Sequence, residues 1–257
     1  MKKLERLALC IVLLSTLSVG ASSLVSVSKG RLEAIWLSPM SVKIKNQTKT
    51  TRSFIQVKDF KLMAKAVTVK QFKEFLEKNS DWRKDKVSSL FTDANYLHGF
   101  ENARENSPVT NVSWFAARTY CKSQGLRLPT LNEWEYAAAA SETLRDANKN
   151  ELFLKRILEW YGEPQTEQIK EVGSIYKNLY GAYDMHGLIW EWVEDFNTTF
   201  VTGESREDSS FNKDMFCGAG SLASNDKENY AAFMRFAFRS SLKGKSSIWN
   251  LGFRCAQ

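Results

Sequence analysis

The chain has 257 residues, 43% of them apolar, with 8 Trp and 16 Phe, enough for the core of one large domain or two small ones. Its composition is that of an ordinary globular protein. Formal net charge is +7, but Lys and Arg are interleaved with Asp and Glu and form no basic stripe, which argues against nucleic acid as a partner.

At the N-terminus, Met1 to Arg6 is positively charged and Leu7 to Leu17 is apolar. Val19-Gly20-Ala21 then offers small residues before Ser22. This order predicts a signal peptide over residues 1–21 and a periplasmic or secreted product. The apolar run is too short to span a bilayer comfortably, so no membrane span is expected after cleavage; an uncleaved anchor is the alternative. Cys10 lies inside the apolar run, too early to serve as a lipoprotein-type acceptor. Cleavage removes three basic residues and one acid, leaving a charge of about +5. In an oxidising compartment the remaining Cys121, Cys217 and Cys255 suggest one disulfide and one odd thiol, with the pairing left open.

Residues 22–52 are polar and read as an opening strand and linker ahead of a single domain over residues 53–257. Phe54 to Leu62 alternates enough for a strand. Thr68 and Gln71 form a capping box before apolar residues at helical spacing, Val69, Phe72, Phe75 and Leu76. Ser113-Trp114 opens a second helix in which Phe115, Ala116, Tyr120 and Cys121 share a face. Thr130 and Glu133 form a second capping box, ahead of Trp134-Glu135-Tyr136 and four alanines, which favour helix. The charged stretch from Glu142 to Glu171 reads as helix, Asn197 to Phe216 as a long polar loop, and Cys217 to Gln257 as short strands broken by glycines.

Tyr183 to Trp192 concentrates two carboxylates, a glycine and two tryptophans in ten residues. Asp184 and Glu191 sit seven apart, with Gly187 and Ile189 between them. That spacing suits a curled loop offering two side-chain oxygens and two backbone carbonyls to one hard cation; an aromatic-rich core turn is the competing reading. The two histidines, His98 and His186, have no His or Cys at metal-ligand spacing, so three-histidine iron chemistry cannot be assembled from this chain alone. His186 reads as a hydrogen-bonded core group.

Several motifs in register resemble the formylglycine-generating enzymes, or sulfatase-modifying factors. They are Pro108-Val109-Thr110-Asn111-Val112-Ser113-Trp114, Ala117-Arg118-Thr119-Tyr120-Cys121, Arg127-Leu128-Pro129-Thr130, Asn132-Glu133-Trp134-Glu135-Tyr136-Ala137, Tyr180 to Gly187, Trp190-Glu191-Trp192, Gly220-Ser221 and Asn250 to Ala256. The resemblance covers residues 55–257 and implies a compact α+β domain, related to C-type lectins, with little regular secondary structure. Members oxidise a cysteine of a sulfatase to formylglycine with oxygen and a copper ion held by two cysteines. Here the first copper position falls at Ser224 and the second near Tyr230 or Ala231, with no cysteine between Ser221 and Arg254. Soft monovalent copper requires thiolates, so no copper is expected. The resemblance also implies a Cys121–Cys255 disulfide, loss of a second disulfide at Ala138 and Phe236, and one structural calcium at Asp184, Gly187, Ile189 and Glu191. Trp190, Ser221, Ser224 and Arg239 match its active-site pocket, with Arg254 close by. The implied function is that of an exported, catalytically degenerate binding or accessory module with a protein partner in the envelope or extracellular space. An oxidative maturation enzyme with a non-cysteine or partner-supplied metal, and a structural envelope protein, are the alternatives.

Overall fold

A computed structural model describes residues 23–33, 54–163, 168–197 and 227–257. The expected leader, the linker from residue 34 and the expected loop beyond Asn197 lie outside these residues, as do Cys217, Ser221 and Ser224. Strands β1 (Leu24–Val27) and β2 (Gly30–Glu33) pair antiparallel with β4 (Phe60–Met63) and β3 (Phe54–Val57) respectively. The register runs unbroken from Leu24↔Met63 through Val27↔Phe60 to Gly30↔Val57, so the four strands make one ribbon. It kinks where the Lys29 N–H donates to Asp59 Oδ1 at 2.7 Å. The opening strand expected within residues 22–52 is thus present as two, β1 and β2, both paired with the strands that follow residue 53. Only Val27 and Leu32 of this first segment are fully buried, too few apolar positions to stand out in a polar stretch. The single strand expected over Phe54 to Leu62 is two, because Lys58 and Asp59 break it.

Helix α1 (Val69–Lys78) starts at the Thr68–Gln71 capping box, with both reciprocal bonds made, and buries Val69, Phe72, Phe75 and Leu76. Helix α2 (Trp114–Ser123) is capped by Ser113 and buries Ala116, Ala117, Tyr120 and Cys121; Phe115 faces partly outward, and Ala117 takes its expected place in the core. Helix α3 (Leu131–Ala138) starts at the Thr130–Glu133 capping box. Helix α4 (Glu151–Gly162) occupies part of the charged stretch, capped by Asn150. Short strands β5 (Trp190–Glu191) and β6 (Leu251–Gly252) pair in parallel. Between them lies α5 (Lys227–Ser240), a helix where the sequence suggests short strands.

The core gathers around Phe72, whose ring lies 5.2 to 6.2 Å from those of Phe75, Tyr120, Phe100 and Phe253. Burying each such ring contributes roughly 1.5–3 kcal/mol. The C-terminal residues lie alongside β4: Lys61 and Gln257 exchange both backbone hydrogen bonds, and Met63 N–H donates to Cys255 O. Cys255 is disulfide-bonded to Cys121 of α2, joining segments 134 residues apart. At Gly252 the chain passes so close to Val109 that a Cβ there would lie 2.3 Å from its carbonyl oxygen, which confines the position to glycine.

Candidate functional site: two buried charge clusters joined by a tryptophan

The motif from Tyr183 to Trp192 enters with Asp184 in the left-handed region, φ +55°, and turns at Gly187, φ +96°. A side chain at Gly187 would strike Ile175 Cγ2 at 2.8 Å. The carboxylate of Asp184 accepts the N–H groups of Gly173 and Ile175, the latter at 2.9 Å, and so fixes the preceding turn. The chain then enters β5, held by Trp190 N–H to Asn250 O at 2.8 Å and Trp192 N–H to Gly252 O at 2.9 Å. Just beyond β5, Asp195 accepts the Leu131 N–H at the start of α3 at 2.6 Å, a carboxylate set at a helix N-terminus.

Strand alternation turns Glu191 into the core, where it is 4% exposed. Arg254, wholly buried, meets it as a fork: Nε donates to Oε1 and Oε2 at 3.1 and 2.8 Å, and Nη2 to Oε1 at 2.8 Å. Arg254 Nη2 also donates to Tyr183 O at 2.8 Å, and Nη1 to Met63 O and Ala64 O at 3.3 Å each. Oε2 of Glu191 accepts a further bond from Trp134 Nε1 at 2.7 Å.

Trp134 links this pair to a second cluster, because the Arg239 guanidinium lies 4.6 Å from the centre of its ring. Arg239 Nη1 donates to Glu135 Oε1 at 2.6 Å, and Arg235 holds both oxygens of the same carboxylate at 2.7 to 3.0 Å. All three side chains are almost fully buried. Burial by itself would raise the Glu135 pKa; the two guanidiniums overcome it and hold the carboxyl down at about 2. Burial would likewise lower Arg235, but Glu135 keeps it above its ordinary value. Arg235 Nη1 also reaches the Tyr161 hydroxyl on α4 at 3.3 Å.

His186 stands beside Trp134 and Phe153, with Nε2 3.0 Å from Ala138 O. Burial lowers its pKa to about 3, Arg235 adding to the effect, so the ring is neutral with its proton on Nε2. Its Nδ1 is buried without a hydrogen-bond partner. This is the hydrogen-bonded core histidine expected from the sequence.

The expected sites fare differently. Glu191 is taken by a guanidinium and an indole N–H, and Asp184 by two backbone N–H groups. A divalent ion at Glu191 would have to sit against the Arg254 guanidinium, so this arrangement does not fit the calcium set of Asp184, Gly187, Ile189 and Glu191. Among the described residues no three His, Cys, Asp or Glu side chains converge as a metal site. At the expected pocket, Trp190 is half-buried within an aromatic stack: its ring lies 4.4 Å from Phe238, 5.2 Å from Tyr161 and 5.2 Å from Trp160. Arg239 points to Glu135 rather than into an open cleft. Of Tyr230 and Ala231, near which the second copper thiol is matched, both lie on α5; Ala231 is buried and its carbonyl accepts from Arg235. The residues present do not fit copper.

Sequence reading missed Glu135, Arg235 and Tyr161. The signal was there: Glu135 lies past the capping acid Glu133, inside the helix and flanked by Trp134 and Tyr136, and Arg235 and Arg239 recur at i, i+4 on α5.

The family model for the Sulfatase-modifying factor enzyme 1-like domain matches residues 19–257. The mouse formylglycine-generating enzyme is 32% identical over 200 residues, which cover 70% of this chain and 49% of that protein. The bovine inactive C-alpha-formylglycine-generating enzyme 2 is 32% identical over 162 residues, 58% of this chain and 50% of that protein. The chain spans about half the length of the curated relatives it matches. The solved structure of PvdO from Pseudomonas aeruginosa aligns with a TM-score of 0.47 at 14% identity, covering 91% of this chain and 93% of its own. With its helices, short strands and motif loop in one compact α+β domain, the chain belongs to the sulfatase-modifying factor family, as a degenerate member without the copper-binding cysteine pair.

Proposed function

We propose that this protein is an exported binding or accessory module that does not oxidise cysteine, working with a protein partner in the envelope or extracellular space. The count of thiols carries the reading. Of four cysteines, Cys121 and Cys255 are joined to each other, Cys10 lies in the expected leader, and Cys217 has no second thiol near it in sequence. No pair is left to hold a soft cation. The basic, small-residue-flanked N-terminus supports export. Long irregular connections between short elements support recognition, since such loops carry binding surfaces on a fixed scaffold. One groove of about 750 Å³, lined by Lys73, Leu76, Glu77, Arg83, Leu97 and Phe100, offers charges of both signs around an apolar floor.

The test is direct. Purified protein given copper(I), oxygen and a cysteine-containing sulfatase peptide is expected to consume no oxygen above the peptide blank and to leave the peptide mass unchanged. Sustained turnover to the aldehyde would overturn the reading. Cross-linking in the native envelope fraction is expected to trap a protein through the surface around that groove, with Glu77→Lys and Arg83→Glu weakening capture. Equal capture by these variants would remove the groove from the proposal.

A further inference from the structure

We infer that the cation around which the Tyr183–Trp192 loop closes is the guanidinium of Arg254, standing in place of a metal ion, so that the loop folds without calcium. A calcium loop gathers carboxylate and backbone carbonyl oxygens from separate stretches of chain around one hard charge. Arg254 gathers the same kinds of oxygen. Glu191 offers both carboxylate oxygens, and Tyr183, Met63 and Ala64 offer backbone carbonyls. These come from the end of β4 and the residue after it, the start of the motif and β5, while the cation arrives on the segment that follows β6. The motif loop is thereby tied to the ribbon and to the C-terminal segment through one side chain that is 0% exposed.

The guanidinium satisfies what a spherical ion would, and adds direction. Its fork matches a carboxylate side-on, and the rest of its N–H groups point at the carbonyls. The charge balances locally, one cation against one carboxylate. Glu191 also receives the Trp134 indole, so its oxygens are turned to fixed donors and away from a diffusible cation. Asp184, the other acid at the expected spacing, holds the turn at Gly173 and Ile175 through their N–H groups. The pattern of acids that reads as a cation loop is thus a cation loop whose cation is covalently part of the chain. The inference stands apart from the accessory-module reading, since a loop closed by arginine is compatible with any activity elsewhere.

Thermal melts of the purified chain in a chelator and in millimolar calcium, with metal analysis of the same sample, test it. The melting temperature is expected to be the same in both buffers, with no stoichiometric calcium in the protein. A calcium-dependent rise, or one calcium per chain, would overturn the inference. Arg254→Lys keeps the charge and loses the fork; it is expected to melt about 10 °C lower in both buffers. If it melts with the wild type, the guanidinium is not the organising group. If the variant does not accumulate, the wild-type comparison decides alone.

Discussion

Glu191 and Glu135 are equally buried, each 4% exposed, and both end on arginine, yet they sit in unlike surroundings. Glu191 meets one guanidinium whose remaining N–H groups are spent on backbone carbonyls of β4 and the motif. Glu135 meets two, both from one face of α5, so that cluster carries an excess positive charge among the described residues. The excess is absorbed softly, by the face of Trp134 under Arg239 and the hydroxyl of Tyr161 beside Arg235. The first pair knits three parts of the central structure. The second fastens a single helix. A buried ion pair is weak evidence of net stability in itself, but breaking one strands a charge, and what it strands depends on how many elements it joins.

Three experiments bear on this contrast. Glu191→Gln strands Arg254 in the middle of the fold, where no single element can swing away to wet it. The expected loss is about 3–5 kcal/mol by urea denaturation, with an unchanged slope if the native state persists. A loss no larger than that of Glu135→Gln would break the contrast. Glu135→Gln strands two guanidiniums, but both leave with α5, so the global loss is expected to be smaller, about 2–3 kcal/mol. Amide exchange in α5 should rise well before exchange in α1 or α2, because local opening relieves the stranded charge. Uniform exchange would show that α5 is not the separable part.

The third experiment is pH. His186 has its folded pKa depressed to about 3 from 6.5, so the stability it contributes is present above pH 6.5 and is lost as pH falls toward 3. Glu135, depressed to about 2 from 4.5, contributes stability present above pH 4.5 and lost as pH falls toward 2. Stability is therefore expected to decline in two overlapping windows on acidification, by about 1–2 kcal/mol between pH 6.5 and 5 from the histidine alone. His186→Phe, which suits the slot between Trp134 and Phe153, should flatten the upper window and leave the lower one. An unchanged upper window would assign that loss to another group.

Much of the molecule was legible residue by residue. Both capping boxes form at the predicted residues because Thr68 with Gln71 and Thr130 with Glu133 need only three residues of local chain to satisfy each other. The Asp184–Glu191 spacing pointed to a curled loop, and the chain does turn there, at Asp184 and Gly187. The spacing did not say where the cation comes from, since Arg254 lies 63 residues further on and only the parallel pairing of β5 with β6 brings it there. The C-terminal helix was misread for a related reason. Gly218, Gly220, Gly244 and Gly252 break the region as a whole, while the helical repeat of Arg235 and Arg239 has meaning only once Glu135 is known to face it. An opening strand was expected, but not its division into β1 and β2 or their partners, because a paired ribbon with few buried side chains owes its existence to backbone hydrogen bonds from a partner, which leave little trace in composition.

By itself the sequence determined the local starts and stops, the family, and the absence of a thiol pair for copper, because each depends on near neighbours or on residue identity alone. The tertiary structure decided which charges meet. Glu191, Trp134, Arg239 and Glu135 form a connected buried path only when three distant segments converge, and in a dry interior each buried charge must find its partner across that distance. Whether an acid serves a metal or an arginine is settled there, by which cation the fold delivers to it.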